Sequence, residues 1–259
     1  MTSILDLRWS VRRKRAIEVT LICVAGVQVS RALLAIMKSA FRLKFDRIIL
    51  VTTKLKPVQF GKFSVQEPIE SKLDSLMEYN KYVLYKLYNH VHTEFCLVIQ
   101  ADGYVINGNL WNEKYYEYDY IGAPWPVENE AYIDPFGNHQ RVGNGGFSLR
   151  SRRLLMVPQK IEIPWNVNEG NFYRHFNKNA FSEDGNICVH NRHLFEQEGC
   201  KFAPLDIACQ FSHELDLTDL FIGKTFGFHR YKGANVFKKV IKRGSLSVKS
   251  KIAKIVKSL

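Results

Sequence analysis

The sequence predicts an α/β fold, a single domain built on a Rossmann-like, mostly parallel central sheet flanked by helices. Three stretches lead to that expectation. Ile17 to Val24 is rich in β-branched residues and ends near Gly26, as a buried first strand does. Val27 to Arg42 then sets Leu33, Ile36, Met37 and Phe41 at helical spacing, and Arg47 to Thr52 returns to strand character. Strand, helix and strand in that order imply a parallel pair joined by a right-handed crossover.

The following elements extend the pattern. Phe63 to Gln66 reads as a short third strand, and Glu70 to His90 as a helix whose apolar face carries Leu73, Leu76, Met77, Tyr79 and Leu84. That helix leads into Phe95-Cys96-Leu97-Val98-Ile99, an apolar run that stops at Gln100-Ala101-Asp102-Gly103-Tyr104. Two readings of the stop are open. In an open α/β sheet, ligands sit outside the carboxyl ends of the strands, and an acid held there can meet a cation bound to phosphate. An Asp-Gly turn that merely ends a strand has the same signature. From Trp111 to Gly146 the chain is dense in aromatic residues, Gly, Pro and Asn, the composition of loops that carry binding groups on a rigid scaffold. A helix starts near Ser182 and a further short strand lies near Lys201 to Pro204.

Composition limits the classes. With 259 residues, 46% hydrophobic and 24% charged, the chain can bury a sizeable core. Of its net charge of +12, ten positive charges lie in residues 230–259, which hold no acid, so the first 229 residues carry only +2. The basic character belongs to a tail, and a nucleic-acid partner is not expected. Met1 to Arg15 holds the cluster Arg12, Arg13, Lys14 and Arg15 without the apolar run of a signal peptide, and no stretch approaches the roughly 20 apolar residues of a membrane span. Cys23, Cys96, Cys188, Cys200 and Cys209 are odd in number and lack Cys-x-x-Cys spacing, which fits reduced core residues of a cytoplasmic protein. The expected organisation is a basic segment 1–15, a domain 16–231 and a basic tail 232–259. In the tail Ile252, Ile255, Val256 and Leu259 fall on one helical face among lysines, a pattern that fits a helix packed on the domain with its lysines in solvent or, the reading favoured, an anionic membrane surface and peripheral attachment at the inner face of the plasma membrane.

Several motifs carry chemistry. Gly143-Asn144-Gly145-Gly146 precedes Phe147-Ser148-Leu149-Arg150; such a turn permits positive φ and close approach of a ligand to the backbone, and serves equally as a structural hairpin. Ser182-Glu183-Asp184 opens a helix, where the acids suit the dipole or one of them acts as a general base. Adjacent helical residues point about 100° apart, so one acid at most faces a given pocket. Phe226-Gly227-Phe228-His229 ends the domain with a histidine that is either solvated or satisfied within the fold or, where Asp102 needs a partner, an imidazole suited to Mn²⁺. Trp125, in Gly122-Ala123-Pro124-Trp125-Pro126, can stack on a sugar face or pack inside.

In that order these pieces resemble a family of bacterial and fungal glycosyltransferase-like proteins with a Gln-x-Asp-Gly signature, and are distantly similar to the fringe and core-1 type β1,3-glycosyltransferases of GT-A fold. The resemblance covers about residues 16–231. It implies a GT-A-type domain moving a sugar from a nucleotide-diphosphate donor to a hydroxyl of a glycan or lipid-linked acceptor, with inversion, in surface polysaccharide or glycoconjugate assembly. It implies a divalent metal, Mn²⁺ or Mg²⁺, on Asp102 and His229. The base falls on Glu183 or Asp184, with Asp184 preferred. The donor would meet Gln100, Asp102, Gly103, Gly145 and Gly146, and the acceptor or sugar Trp125, Asn144 and Phe147. Gln100 departs from the pattern, standing where the Asp-x-Asp enzymes have their first acid. Two other readings remain, a nucleotidyltransferase-like enzyme, which would want a basic Gly-rich loop after Val24, and a nucleic-acid-binding protein using the tail.

Overall fold

A computed structural model describes residues 15–127, 132–165 and 182–230. The helix expected in the tail, and the segment before Arg15, lie outside the described residues. Ten strands and six α-helices make up the described parts. The first half contains β1 (Val19–Val24), α1 (Val29–Arg42), β2 (Arg47–Val51), β3 (Val58–Phe60), β4 (Phe63–Gln66), α2 (Leu76–Tyr85), β5 (Phe95–Ile99), β6 (Gly103–Val105) and β7 (Tyr120–Ile121). There follow β8 (Phe147–Ser151), α3 (Arg152–Lys160), α4 (Glu183–Gly185), α5 (Arg192–Gln197), α6 (Leu205–Phe211), β9 (Ser212–His213) and β10 (Gly227–His229).

Seven strands form the main sheet in the order β3-β4-β2-β1-β5-β8-β7. Its centre is parallel, as the strand-helix-strand opening predicts, with β1 beside both β2 and β5 and β2 beside β4. The margins are antiparallel: β3 pairs with β4, and β8 with both β5 and β7. The sheet is therefore mixed rather than mostly parallel. The cause is local: β3 joins β4 through the tight turn at Gly61, and β8 returns from the long loop region instead of crossing over a helix.

The central strands are buried on both faces, so their side chains divide between two cores. Ile22, Val24, Ile49, Val51, Cys96 and Val98 pack with α2, α3 and Phe195 of α5, whereas Leu21, Cys23, Leu50, Leu97, Ile99 and Phe147 pack with α1 and α6. The second core ends in an aromatic cluster of Trp111, Tyr115, Phe147, Phe211 and Phe226, with ring centroids 5.3–6.2 Å apart. Beside it lies a three-stranded sheet, β6-β10-β9. All five cysteines are free thiols, and all but Cys209 are buried. Among the described residues no helix is long and apolar enough to cross a membrane.

Two expected elements differ. The helix expected over Glu70 to His90 is confined to α2 and a 3-10 turn at Leu87–His90, because Glu70 and Leu73 take left-handed backbone (φ 51 and 55) and Ser75 caps α2 by accepting from the Glu78 amide. Lys201 to Pro204 makes only a single bridge, Phe202 to Tyr120, rather than a strand.

Candidate functional site

Topology brings the motifs together. The sheet order reverses between β1 and β5, so a crevice opens at their carboxyl ends. There a cavity of about 280 Å³ is lined by the β1–α1 turn (Gly26, Val27, Gln28), the start of α2 (Asp74, Ser75, Tyr79) and Gln100, Asp102 and Arg230. Because β8 runs antiparallel to β5, its first residue, Phe147, lies opposite Ile99, and the preceding glycine turn reaches the same edge. The Gln100 amide donates to the Gly146 carbonyl at 2.9 Å. β10, antiparallel to β6, sets His229 opposite Gly103.

Asp102, about half exposed, has Oδ1 3.3 Å from His229 Nε2, while Arg230 Nε stands 3.6 Å from Oδ2. The hydrogen bond from His229 holds the Asp102 carboxyl below its ordinary range, against the upward push of burial. His229 is buried among acceptors, with Glu214 Oε1 3.1 Å from Nδ1 and Gln100 Oε1 3.2 Å from Nε2. Burial opposes its charge, but hydrogen bonds and charge from Asp102 and Glu214 prevail and raise its pKa to about 9. The Gln100 amide bridges, donating from Nε2 to the Tyr79 hydroxyl at 2.9 Å. Asp102 Oδ1, His229 Nε2 and Gln100 Oε1 thus converge. Glu214 supplies the carboxylate on the far ring nitrogen that orients metal-bound histidines. A cation entering here would have to displace the Nε2 proton of His229, after which one carboxylate, one imidazole and one amide oxygen would suit a divalent ion. Among the described residues no group of three or more His, Cys, Asp or Glu forms a complete protein cage.

The glycine turn does more packing than lining. A Cβ at Gly146 would meet His229 Nε2 at 2.2 Å, one at Gly145 Glu183 Oε1 at 2.0 Å, and one at Gly143 the Trp125 ring at 1.8 Å. Space, not positive φ, requires these glycines; the left-handed residue is Asn144 (φ 66), whose side chain accepts from the Gly146 amide. Gly103 is constrained alike, its added Cβ lying 2.8 Å from the Gly146 carbonyl oxygen.

The two acids diverge, as adjacent helical residues must. Glu183 is buried and accepts from Arg150 Nη2 at 2.6 Å, while Asp184, only partly buried, accepts from the Gly145 amide at 2.7 Å and from the Gly185 amide at 2.8 Å. Burial pushes the Glu183 carboxyl up, and Arg150 pulls against it. Of the two, Asp184 alone retains open surface for a substrate.

Three expected sugar contacts sit elsewhere. Phe147 is fully buried against Phe211 and Phe226, Asn144 is 2% exposed, and Trp125 lies flat on Tyr132 with its edge on Gly143. None presents a free face. Sequence reasoning missed Arg150, Glu214, Tyr79 and Arg230. Arg150 carried a faint signal, a charge in a strand whose Phe147 and Leu149 alternate with Ser148 and Arg150, and Arg230 follows His229 directly; Glu214 and Tyr79 carried none.

Residues 62–229 match the model of a protein family described as "Protein of unknown function (DUF5672)", and the chain belongs to that family. The match runs from β4 to His229 and spans Asp102, the glycine turn and the acidic pair. No curated protein matches the sequence. Among solved structures, the chain is similar to an active-site mutant of LgtC, with 10% identity over 86% of this chain and 95% of that one and a TM-score of 0.49. It is also similar to the galactosyltransferase LgtC in complex with donor and acceptor sugar analogs (9% identity, 81% and 86% covered, TM-score 0.48). The apo-form glycosyltransferase GlyE of Streptococcus pneumoniae TIGR4 is a third similar structure (14% identity, 83% and 55% covered, TM-score 0.41).

Proposed function

We propose that this DUF5672 chain is a GT-A-type glycosyltransferase that moves a sugar from a nucleotide-diphosphate donor to an acceptor hydroxyl. The observation that carries the reading is the placement of two carboxylates at one sheet edge. Asp102 borders the cavity between β1 and β5, and Asp184 lies beyond the glycine turn that separates them. The cavity receives the nucleotide and the diphosphate, with Val27 and Gln28 at the uncapped start of α1 and the Arg230 guanidinium on its wall. Asp102 and His229, with Gln100 beside them, would hold the divalent cation, Mn²⁺ or Mg²⁺, the ion taking the place of the His229 Nε2 proton. When bound, the cation neutralises charge developing on the leaving diphosphate.

On the other side Asp184 accepts the proton of the acceptor hydroxyl as that oxygen attacks the anomeric carbon. The bond to the diphosphate breaks in the same displacement, so the configuration inverts. Glu183 is withdrawn from proton transfer by Arg150. The acceptor is a glycan or lipid-linked sugar in surface polysaccharide or glycoconjugate assembly, and residues 232–259 hold the enzyme at an anionic inner membrane surface. Flotation with anionic vesicles, equal with and without those residues, would remove the membrane part of the reading.

The experiment for the reaction incubates the full chain with a panel of nucleotide sugars and candidate acceptors and follows nucleotide release and product mass. Release that depends on one donor, and is lost in Asp184→Asn, is expected. Release unchanged in Asp184→Asn would overturn the assignment of the base.

A further inference from the structure

Arg150 lies in the middle of β8 with its whole side chain inside the protein. A guanidinium taken out of water is costly unless its donors are used. Here Nη2 donates to Glu183 Oε1 at 2.6 Å and Nε to Ser148 Oγ at 2.9 Å, and the plane lies 5.2 Å from the Tyr120 ring centroid, while buried Nη1 meets no acceptor. The Ser148 hydroxyl donates onward to the Gly145 carbonyl at 3.3 Å, and the Gly145 amide donates to Asp184 Oδ2 at 2.7 Å. Asp184 follows Glu183 in the chain, so the contacts close into a ring: Arg150, Glu183, Asp184, Gly145, Ser148 and back to Arg150. One cation on a rigid strand thereby fixes both the helix start that bears Asp184 and the peptide that holds its carboxylate.

We propose that Arg150 is the positioning residue of this site: through the ring it aims the Asp184 carboxylate, and Glu183 and Ser148 serve the reaction as its two arms. This rests on the transferase reading. The ring explains why two acids stand together where one base suffices, since the first anchors the second. It also explains the requirement for glycine at 145, where a Cβ would strike Glu183 Oε1 at 2.0 Å. A base held by a strand, a helix start and a backbone amide needs no reorganisation before it accepts a proton, and small misplacement of such a group costs about 100-fold in rate.

The test is a double-mutant cycle on the full chain, Arg150→Lys and Asp184→Asn singly and together, with Ser148→Ala as the milder cut where Arg150→Lys does not fold. The first readout, amide hydrogen exchange at residues 143–146, needs no substrate. Cutting the ring is expected to speed exchange at Gly145 by about tenfold while β5 keeps its protection. The second readout is turnover of the donor that the wild type uses. The single cut is expected to lower kcat by about 10–100-fold with donor KM unchanged, and to do nothing further in Asp184→Asn. Unchanged exchange at Gly145 overturns the ring, whatever the enzyme's reaction. Faster exchange with kcat losses that simply multiply overturns the positioning role and leaves a structural ion pair. A wild type that transfers no sugar overturns the transferase reading and the positioning role together, while the exchange result still decides the ring.

Discussion

The two walls of the crevice are made differently. The Asp184 wall is closely packed: Gly143, Gly145 and Gly146 each face a neighbour where a Cβ would stand, and Arg150 and Glu183 are 0% and 3% exposed in their side chains. On the Asp102 wall the rim is open above a buried His229, with Asp102 46% and Arg230 66% exposed and Val27 standing free in the β1–α1 turn. Such a division suits a transferase. The group that removes a proton must be aimed in advance, whereas the surface that receives a charged donor must be solvated until the donor arrives. Damage to the first wall should therefore appear in folding and kcat, and damage to the second in binding with the fold intact.

The comparison breaks most visibly at Glu183. Glu183→Ala leaves the Arg150 guanidinium buried without its carboxylate, and we expect a loss of about 3–5 kcal/mol in a denaturant-unfolding midpoint. A loss under about 1 kcal/mol would mean that the pair is not buried as described. Next comes Asp184→Asn, expected to reduce turnover by about 10²–10⁴-fold while the unfolding midpoint stays near wild type, which stopped-flow or endpoint nucleotide release can resolve. On the open wall, Gln100→Ala removes the link between Tyr79 and His229. We expect nucleotide affinity to fall about tenfold by calorimetry and unfolding free energy to fall by about 1 kcal/mol, the ordinary worth of a lost intramolecular hydrogen bond. Arg230→Ala should have the smallest effect, a few-fold weaker nucleotide binding and stability within about 0.5 kcal/mol of wild type, as expected of an exposed residue.

Legibility in the sequence followed the same division. Strands buried on both faces announce themselves as apolar runs, so β1, β2 and β5 and the position of Asp102 at a strand end were readable, as was the divergent aim of two adjacent helical acids; the short β4 was readable from its alternating Phe63 and Val65. Marginal elements were not. The small β6-β10-β9 sheet consists of two- and three-residue strands, too short for any period to show, and α3 and α6 follow a strand and a bridge without a loop to mark them. Antiparallel return of β8 was likewise invisible, because five buried residues look the same in either direction. The aromatic and asparagine side chains near the glycine turn were placed on a sugar by the resemblance; in the structure Trp125, Asn144 and Phe147 are buried in packing instead. Partners separated by tens of residues, such as Arg150 with Glu183 or Glu214 with His229, are set by tertiary contact alone.

The central claim, that the open wall receives a nucleotide sugar through Asp102, is tested most directly by thermal melting of the full chain and of Asp102→Asn against a panel of nucleotide sugars with Mn²⁺, Mg²⁺ or chelator. The account predicts that at least one nucleotide raises the wild-type melting temperature in the presence of metal, and that chelator or Asp102→Asn removes the rise. No rise with any nucleotide, or an equal rise in the variant, would contradict it.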